Sequence, residues 1–314
     1  MTPVGGTPDA IVLDRVTKIY EPGTANEVRA VDDLSLTIRR GEIFSLVGPD
    51  GAGKTTAIRM MCGVLEPTEG AIRILGLDLH TQRAEMKKHV GYLSQRFSLY
   101  GDLTVSENID FFAEIHRVGD FRARKEELLE FTRLSAFRDR LAGRLSGGMK
   151  QKLALACTLI HTPDIIFLDE PTTGVDPVSR RDFWKILSSL LRSGITIVVS
   201  TPYLDEAERS ARVALMNKGR ILQCDTPERV KESFPAEVLE IVCDDVRAAL
   251  DRLQAVVERD RIQLFGDRLH VLMPRGSGEA ESIPSALSAQ GIRISTVRRM
   301  PPSLEDVFIA RVNS

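Results

Sequence analysis

A glycine-rich segment at residues 48–55, GPDGAGKT, constrains the fold of this chain more than any other stretch. It follows an apolar run at 42–47 that predicts a buried strand, and it precedes good helix-forming residues at 56–62. Strand, glycine-rich loop, lysine, hydroxyl residue and helix, in this order, are typical of a loop that cradles phosphate. A glycine-rich turn matching by chance is the alternative, and the flanking strand and helix argue against it.

The chemistry of this segment favours a triphosphate ligand. Glycines let consecutive backbone N–H groups point inward, where a Cβ would obstruct the ligand, and the helix that begins near Gly53 adds the positive end of its dipole. Lys54 can reach the β- and γ-phosphates, and the Thr55 hydroxyl can ligate Mg²⁺. The predicted nucleotide-binding residues here are Gly48, Pro49, Asp50, Gly51, Ala52, Gly53, Lys54, Thr55 and Thr56.

Length and composition limit the function classes. The 314 residues suffice for about two domains. A net charge of −2 and a pI near 6.3 provide no basic field for nucleic acid, so no nucleic-acid partner is expected. The four cysteines are far apart and predict reduced core thiols. With no apolar run of membrane-spanning length and no secretory profile at residues 1–9, we expect a cytosolic protein unless a partner holds it at a membrane.

Short apolar segments precede the glycine-rich loop. Segments 11–13, 27–31 and 34–38 predict short strands of a small antiparallel layer. Tyr20 is predicted to lie in the first connection, where it either braces a turn or offers a flat face to a purine. Further strands are predicted at 69–74 and 90–94, the second ending in Gln95.

Between about 100 and 160 the apolar period becomes helical, which predicts a helical insertion into the α/β sheet. The insertion ends in LSGGMKQ, residues 145–151, where Ser146 is a natural N-cap. Gly147 and Gly148 weaken a helix start by about 1 kcal/mol each relative to alanine. Two glycines at this position are explained if an anion contacts the backbone N–H groups at the helix start. A loose loop–helix junction is the alternative.

The apolar run at 165–168 predicts a strand covered on both faces, and Asp169 and Glu170 stand at its carboxyl end. One interpretation is that the two adjacent carboxylates only mark a strand end exposed to solvent. Beside a phosphate loop, however, Asp169 can hold Mg²⁺ through water, and Glu170 can orient or deprotonate the attacking water. A turn containing Asp176 follows, and a last buried strand at 195–200 runs toward Pro202.

From about residue 225 the pattern weakens and contains no catalytic constellation. It predicts an α+β domain with strand 237–243, helix 246–257, hairpin 261–273, helix 282–289, strand 292–298 and helix 303–311. His270 alternates with apolar neighbours and is predicted on the solvent face of its strand. The predicted organisation is a flexible N-terminus at 1–8, an ATPase domain at 9–231 and an accessory domain at 232–314.

Together these motifs closely resemble the ATPase subunits of ABC transporters over residues 10–230. The resemblance implies an α/β P-loop fold with a mixed sheet core, an antiparallel β layer and a helical insertion. It implies ATP and Mg²⁺ as cofactors and an adenine-stacking role for Tyr20. It assigns Walker A to 48–55, the Q-loop to Gln95, the signature to 145–149, Walker B to 165–169 and the D-loop to 174–176. The implied catalytic residues are Glu170, Lys54 and Gln95, and the implied metal ligands are Thr55, Gln95 and Asp169.

Segments 95–100, 102–108 and 302–308 are similar to the drug-exporter ATPases of the daunorubicin-resistance type. That branch pairs with separate type-2 permeases, which implies a peripheral position on the inner face of the plasma membrane. The resemblance also implies that two ATPase domains, in a homodimer or a heterodimer, sandwich two ATP molecules. Ser146, Gly147 and Gly148 then act on the partner's ATP, and Asp176 belongs to the D-loop.

Two positions depart from the family pattern. Met149 stands where glutamine is usual, and Pro202 stands where a histidine bonds the γ-phosphate. Proline has neither an imidazole nor an N–H, so a slow site is the resulting hypothesis. Two further function classes remain open. One is a nucleotide-gated scaffold that hydrolyses little ATP, and the other is a soluble ABC ATPase acting on ribosomes or DNA.

Overall fold

The structure is a computed structural model, and it describes residues 9–95 and 99–313. The chain divides into two compact units, Met1–Cys224 and Asp225–Ser314. The domain assignment 9–231 and 232–314 stays a prediction. The N-terminal segment 1–8 and residues 96–98 of the segment used for the family branch lie outside the described residues.

The first unit contains ten strands and seven helices within the described residues. In chain order they are β1 (Asp9–Tyr20), β2 (Val28–Arg39), β3 (Ile43–Val47), α1 (Lys54–Met61), β4 (Glu69–Ile74), β5 (Leu77–Asp78), α2 (Arg83–Met86), β6 (Val90–Leu93), α3 (Val105–Ile115), α4 (Arg122–Phe131), α5 (Gly147–Leu159), β7 (Ile165–Asp169), α6 (Pro177–Arg192), β8 (Thr196–Thr201), α7 (Leu204–Ala207), β9 (Arg212–Asn217) and β10 (Arg220–Asp225), whose last residue falls at the division between the units.

The core sheet has the order β10-β9-β3-β8-β7-β6, with β9, β3, β8, β7 and β6 parallel to one another. Strands β3, β7 and β8 are buried at every residue, as continuous apolar runs covered on both faces should be. The carboxyl ends of parallel strands lie at one edge of the sheet, so the segments after β3, β7, β8 and β6 meet there. The predicted α/β class is confirmed.

The antiparallel layer has the order β2-β1-β4-β5. The prediction of short strands here was wrong, because β1 and β2 are 12 residues each. Arg15 and Asp33 adopt left-handed φ values of 48° and 51°, and the β1–β2 register shifts nearby. Such irregularities interrupt the alternation of side chains without ending a strand. Tyr20 is consequently the last residue of β1 and does not lie in a connection.

The helical insertion is present as α3, α4 and α5. Helix α3 begins with a capping box between Thr104 and Glu107, and Ser146 caps α5 by accepting from the Met149 N–H at 3.3 Å. Buried side chains of α3 and α5 share one apolar core with Ile166 and Leu168 of β7. The insertion therefore packs on the core sheet through an amphipathic face.

The second unit is a four-stranded antiparallel sheet in the order β12-β13-β11-β14 with helices beside it. Its elements are α8 (Pro227–Glu232), β11 (Ala236–Cys243), α9 (Val246–Leu253), β12 (Ile262–Phe265), β13 (Arg268–Pro274), α10 (Glu279–Ala289), β14 (Ile294–Met300) and α11 (Leu304–Asn313). Every element predicted here exists, with bounds shifted by up to four residues. The α+β character of this unit agrees with the prediction.

The prediction for His270 was wrong. Its side chain is buried, its Nδ1 lies 3.1 Å from Asp306 Oδ1, and its Nε2 lies 3.6 Å from Glu240 Oε2. Asp306 belongs to α11, which covers the sheet face that alternation alone assigns to solvent.

Along the described residues, no helix combines the length and the apolar character needed to cross a membrane.

Candidate active site

The glycine-rich loop between β3 and α1 is shaped by close backbone contacts. A Cβ on Gly48 would lie 2.1 Å from the Met216 carbonyl oxygen, and one on Gly53 would lie 2.3 Å from that of Ala30. Gly53 also has a φ of +102°, which L side chains rarely adopt. These two glycines are therefore required by the fold of the loop before any ligand is considered.

Lys54 is the first residue of α1 and is buried beneath the loop. Its ammonium donates to the carbonyl oxygens of Gly48 at 2.8 Å and Pro49 at 3.0 Å, and it lies 3.3 Å from Glu170 Oε1. An anionic ligand in the loop would replace these neutral acceptors with a charged one, which is the stronger partner.

The two carboxylates at the end of β7 have different partners. Asp169 is fully buried, and its Oδ1 accepts from the Thr55 hydroxyl at 3.0 Å and from Ser200 at 2.7 Å. Its Oδ2 accepts from Tyr92 at 3.4 Å, and burial raises the pKa of that phenol to about 12. Asp169 is thus held beside Thr55 on the side away from solvent.

Glu170 faces the ligand side of the site. Gln95 donates to its Oε2 at 2.9 Å, and its backbone N–H donates to the Ser200 hydroxyl at 2.9 Å. Its φ of 48° places a non-glycine residue in the left-handed region, where such a conformation costs about 1–3 kcal/mol and is concentrated at functional sites. Ser200 binds both carboxylate residues, and no sequence motif had marked it.

These groups surround a cavity of about 780 Å³, within the size range of nucleotide and cofactor sites. Tyr20 stands at its edge, with its side chain partly exposed and its hydroxyl 3.4 Å from Thr56 Oγ1. Predicted residues that line the cavity are Tyr20, Asp50, Gly51, Ala52, Gly53, Lys54, Thr55, Thr56, Gln95, Glu170 and Pro202. Gly48, Pro49 and Asp169 lie behind this lining and contact it through Lys54 and Thr55.

The signature residues and Asp176 do not line this cavity. Asp176 caps α6 by accepting from the N–H groups of Val178 and Ser179, and these bonds hold the pKa of Asp176 below its usual value. Gly148 packs against Ser179, since a Cβ there would lie 2.6 Å from the Ser179 side chain. The predicted action of Ser146, Gly147 and Gly148 on a second subunit's ATP stays a prediction.

Several cavity residues were missed by sequence reasoning. Arg29 lines the cavity from β2, Lys218 from the turn after β9, and Thr173 and Tyr203 from the segments after β7 and β8. Only Tyr203 carried a signal, because it adjoins Pro202. The others belong to no motif, and the topology alone brings them to the site.

The donor set fits Mg²⁺. The Thr55 hydroxyl, the Asp169 carboxylate and the Gln95 amide offer oxygen ligands, which this hard cation prefers together with substrate phosphates and water. The hydroxyl and the carboxylate are already within hydrogen-bond distance of each other. A strand-anchored phosphate loop, a carboxylate pair and an oxygen-rich metal position define the site of a P-loop ATPase.

Comparison with known proteins identifies the family. A model described as "ABC transporter" matches residues 31–173, and one described as "ATP-binding protein DrrA1-3-like, C-terminal domain" matches residues 226–312. The chain belongs to the ATP-binding proteins of the ABC transporter family. The match at 226–312 confirms the predicted daunorubicin-resistance branch.

Similar proteins are ATP-binding proteins of the same family. The daunorubicin resistance ATP-binding protein DrrA2 of Streptomyces coeruleorubidus is 34% identical over 90% of this chain and 90% of its own length. The Nod factor export ATP-binding protein I of Paraburkholderia xenovorans is 36% identical over 96% of both chains. The probable multidrug ABC transporter ATP-binding protein YbhF of Escherichia coli is 41% identical over 73% of this chain, which spans only 39% of that relative.

Solved structures support the fold of the first unit. A dimeric ATP-binding cassette in a post-hydrolysis state, bound to ADP and Pi, aligns with a TM-score of 0.63 at 28% identity. The alignment covers 69% of this chain and 98% of that one.

Proposed function

We propose that this chain binds Mg²⁺-ATP in the cavity and hydrolyses it to power export through a separate type-2 permease. The observation that carries the proposal is the position of the Glu170 carboxylate, which has the Lys54 ammonium at 3.3 Å and the Gln95 amide at 2.9 Å and stands beside the Thr55–Asp169 pair. Relatives named for multidrug transport, daunorubicin resistance and Nod factor export support an export role. The protein would then be cytoplasmic and held at the inner face of the membrane by its permease.

The proposed roles follow from placement. Lys54 and the loop amides would bind the β- and γ-phosphates, while Thr55 and Asp169 would hold Mg²⁺, which would neutralise charge on the phosphates. Gln95 joins the metal position and orients Glu170. Glu170 orients the attacking water and accepts its proton at a carboxylate oxygen. Tyr20 contributes a ring face for adenine at the cavity edge.

A dimer is part of the proposal. Ser146, Gly147 and Gly148 do not line this chain's own cavity, and in the proposed dimer they close over the ATP of a second ATPase subunit. The solved cassette of similar fold is dimeric and bound to ADP and Pi, which supports a dimer for this chain. The second subunit is either another copy of this chain or a sister ATPase.

Pro202 favours a second candidate, a catalytically slow and nucleotide-gated subunit. It lines the cavity and offers no side-chain donor to the terminal phosphate. A hydrogen bond to a charged group contributes about 1.5–3 kcal/mol, which corresponds to roughly 10- to 150-fold in turnover if the bond forms only in the transition state. Binding should survive, because Lys54, the loop amides and Mg²⁺ remain.

The test compares steady-state ATPase rates of the purified full chain and Pro202→His, with Lys54→Ala as the inactive control. We expect magnesium-dependent hydrolysis that Lys54→Ala abolishes. If no other group supplies the missing bond, Pro202→His raises turnover by about 10- to 150-fold. A wild-type rate that Pro202→His leaves unchanged would contradict the slow-site candidate. Failure of the chain to bind ATP in a magnesium-dependent manner would contradict the function itself.

A further inference from the structure

The segment after β8 places two side chains at the cavity, Pro202 and Tyr203. Pro202 has no hydrogen to donate. Tyr203 has a phenol hydroxyl, which can donate one hydrogen bond. The segment that carries no imidazole at 202 therefore carries a different donor one residue later.

The other side-chain donors around Glu170 are already engaged. Lys54 donates to loop carbonyls and pairs with Glu170, Gln95 donates to Glu170 Oε2 at 2.9 Å, and Thr173 lies 3.4 Å from the same oxygen. The Tyr203 hydroxyl, in contrast, makes no hydrogen bond to any residue in 9–95 or 99–313. It is a cavity-lining donor without a protein acceptor among those residues.

Two contacts fix the position of Tyr203, one at its backbone and one on its ring. Its backbone N–H donates to Thr201 Oγ1 at 3.0 Å, and the Arg180 guanidinium stacks on the ring at 4.4 Å from its centroid. Arg180 Nε lies 3.2 Å from Glu206 Oε1. Glu206 is buried and accepts from Thr172 and Thr201, so the base of this clamp is fixed. A donor on a fixed ring loses little entropy when it binds a ligand.

We propose that the Tyr203 hydroxyl donates a hydrogen bond to the terminal phosphate of ATP in the transition state of hydrolysis and takes over part of the role of the absent imidazole. Arg180 is the positioning residue that holds the ring. The bond stabilises the charge that develops on the phosphate oxygens during hydrolysis, and it contributes little to the binding of ATP before that charge develops. This inference rests on the proposed ATPase function and names a further residue of the same site.

The test uses the full chain in four variants: Tyr203→Phe, Pro202→His, the double variant, and Arg180→Gln. Tyr203→Phe removes the hydroxyl and keeps the ring that Arg180 stacks on. Tyr100→Phe is the matched control, because Tyr100 packs on Phe111 and does not line the cavity. The measurements are kcat, KM for ATP, and the Kd of a nonhydrolysable ATP analogue.

We expect Tyr203→Phe to lower kcat by about 10- to 150-fold, the value of a hydrogen bond to a charged group, with the analogue Kd unchanged. Arg180→Gln lowers kcat by a smaller factor. Adding Pro202→His to Tyr203→Phe restores kcat. Because the two donors serve the same phosphate, Pro202→His raises kcat by a larger factor in the Tyr203→Phe background than in the wild-type background.

Two results would overturn the inference alone: a wild-type kcat in Tyr203→Phe, or an equal gain from Pro202→His in both backgrounds. Absence of magnesium-dependent hydrolysis in the wild-type chain would overturn the proposed function together with it. The two failures are therefore distinguishable in one data set.

Discussion

Replacing His270 with glutamine tests the buried ion cluster of the second unit. Burial lowers the pKa of His270, but hydrogen bonds and charges from Asp306 and Glu240 outweigh burial and raise the pKa above its usual 6.5. Burial likewise raises the pKa of Asp306, and the bonds from His270 and Ser303 outweigh it, so that pKa is lowered. Arg268 lies 3.0 Å from Glu240 and completes the cluster.

The stability lost in His270→Gln depends on which hydrogen bonds Asp306 retains. Leaving a buried charge unpaired costs about 3–5 kcal/mol, whereas one hydrogen bond to a charged group contributes about 1.5–3 kcal/mol. Glutamine can still donate to Asp306, which also keeps its bonds with Ser303 at 2.6–3.1 Å. The range of about 1.5–3 kcal/mol for one hydrogen bond therefore applies, and we expect the free energy of unfolding to fall by about 2 kcal/mol at pH 6.

The loss depends on pH with a defined sign. Because the folded-state pKa of His270 is raised, the stability from its charged form is complete below pH 6.5 and is lost as the pH rises through that raised value. The difference between wild type and His270→Gln should therefore be largest at pH 6 and smaller at pH 9. The lowered pKa of Asp306 acts in the opposite sense, and its contribution is lost only as the pH falls below 3.8.

The assay is hydrogen–deuterium exchange of peptides from β11 and α11, corrected for the intrinsic effect of pH on exchange. The chain's one tryptophan, Trp184, lies in the first unit, so its fluorescence does not report on this cluster. A loss of 2 kcal/mol corresponds to about thirtyfold faster exchange through opening. His80→Gln, at an exposed site, is the control. Equal protection in His270→Gln and wild type at pH 6 would refute the reasoning.

Two further predictions concern the first unit. Phe167→Ala removes a fully buried ring from β7 and should destabilise the unit by about 3–5 kcal/mol, measured as urea unfolding followed by Trp184 fluorescence; a loss below 1 kcal/mol would mean that the core refills the space. Gly148→Ala places a Cβ 2.6 Å from the Ser179 side chain and should cost about 1–3 kcal/mol in thermal unfolding. Adding Ser179→Gly should recover most of that loss, and no recovery would contradict the proposed clash.

Much of the candidate site was predictable because its signals are local. The glycine-rich loop, its lysine and hydroxyl, and the carboxylates after a buried strand occupy short windows whose backbone geometry depends on neighbouring residues. Bulges at Arg15 and Asp33 were not predictable in the same way. They interrupt the alternation of side chains along a strand, although the strand stays hydrogen-bonded to its neighbours. Those neighbouring strands are distant in the chain, so a local pattern does not reveal the pairing.

The sequence by itself determined the phosphate loop, the carboxylate pair and the α/β class, since each depends on residue types within one strand, turn or helix start. Only the tertiary structure decided that His270 is buried, because α11 folds over a strand face that alternation assigns to water. It also decided that Arg180 clamps Tyr203 beside Pro202. These contacts join residues 23 to 36 positions apart, and such pairings are fixed by packing between elements and not by local pattern.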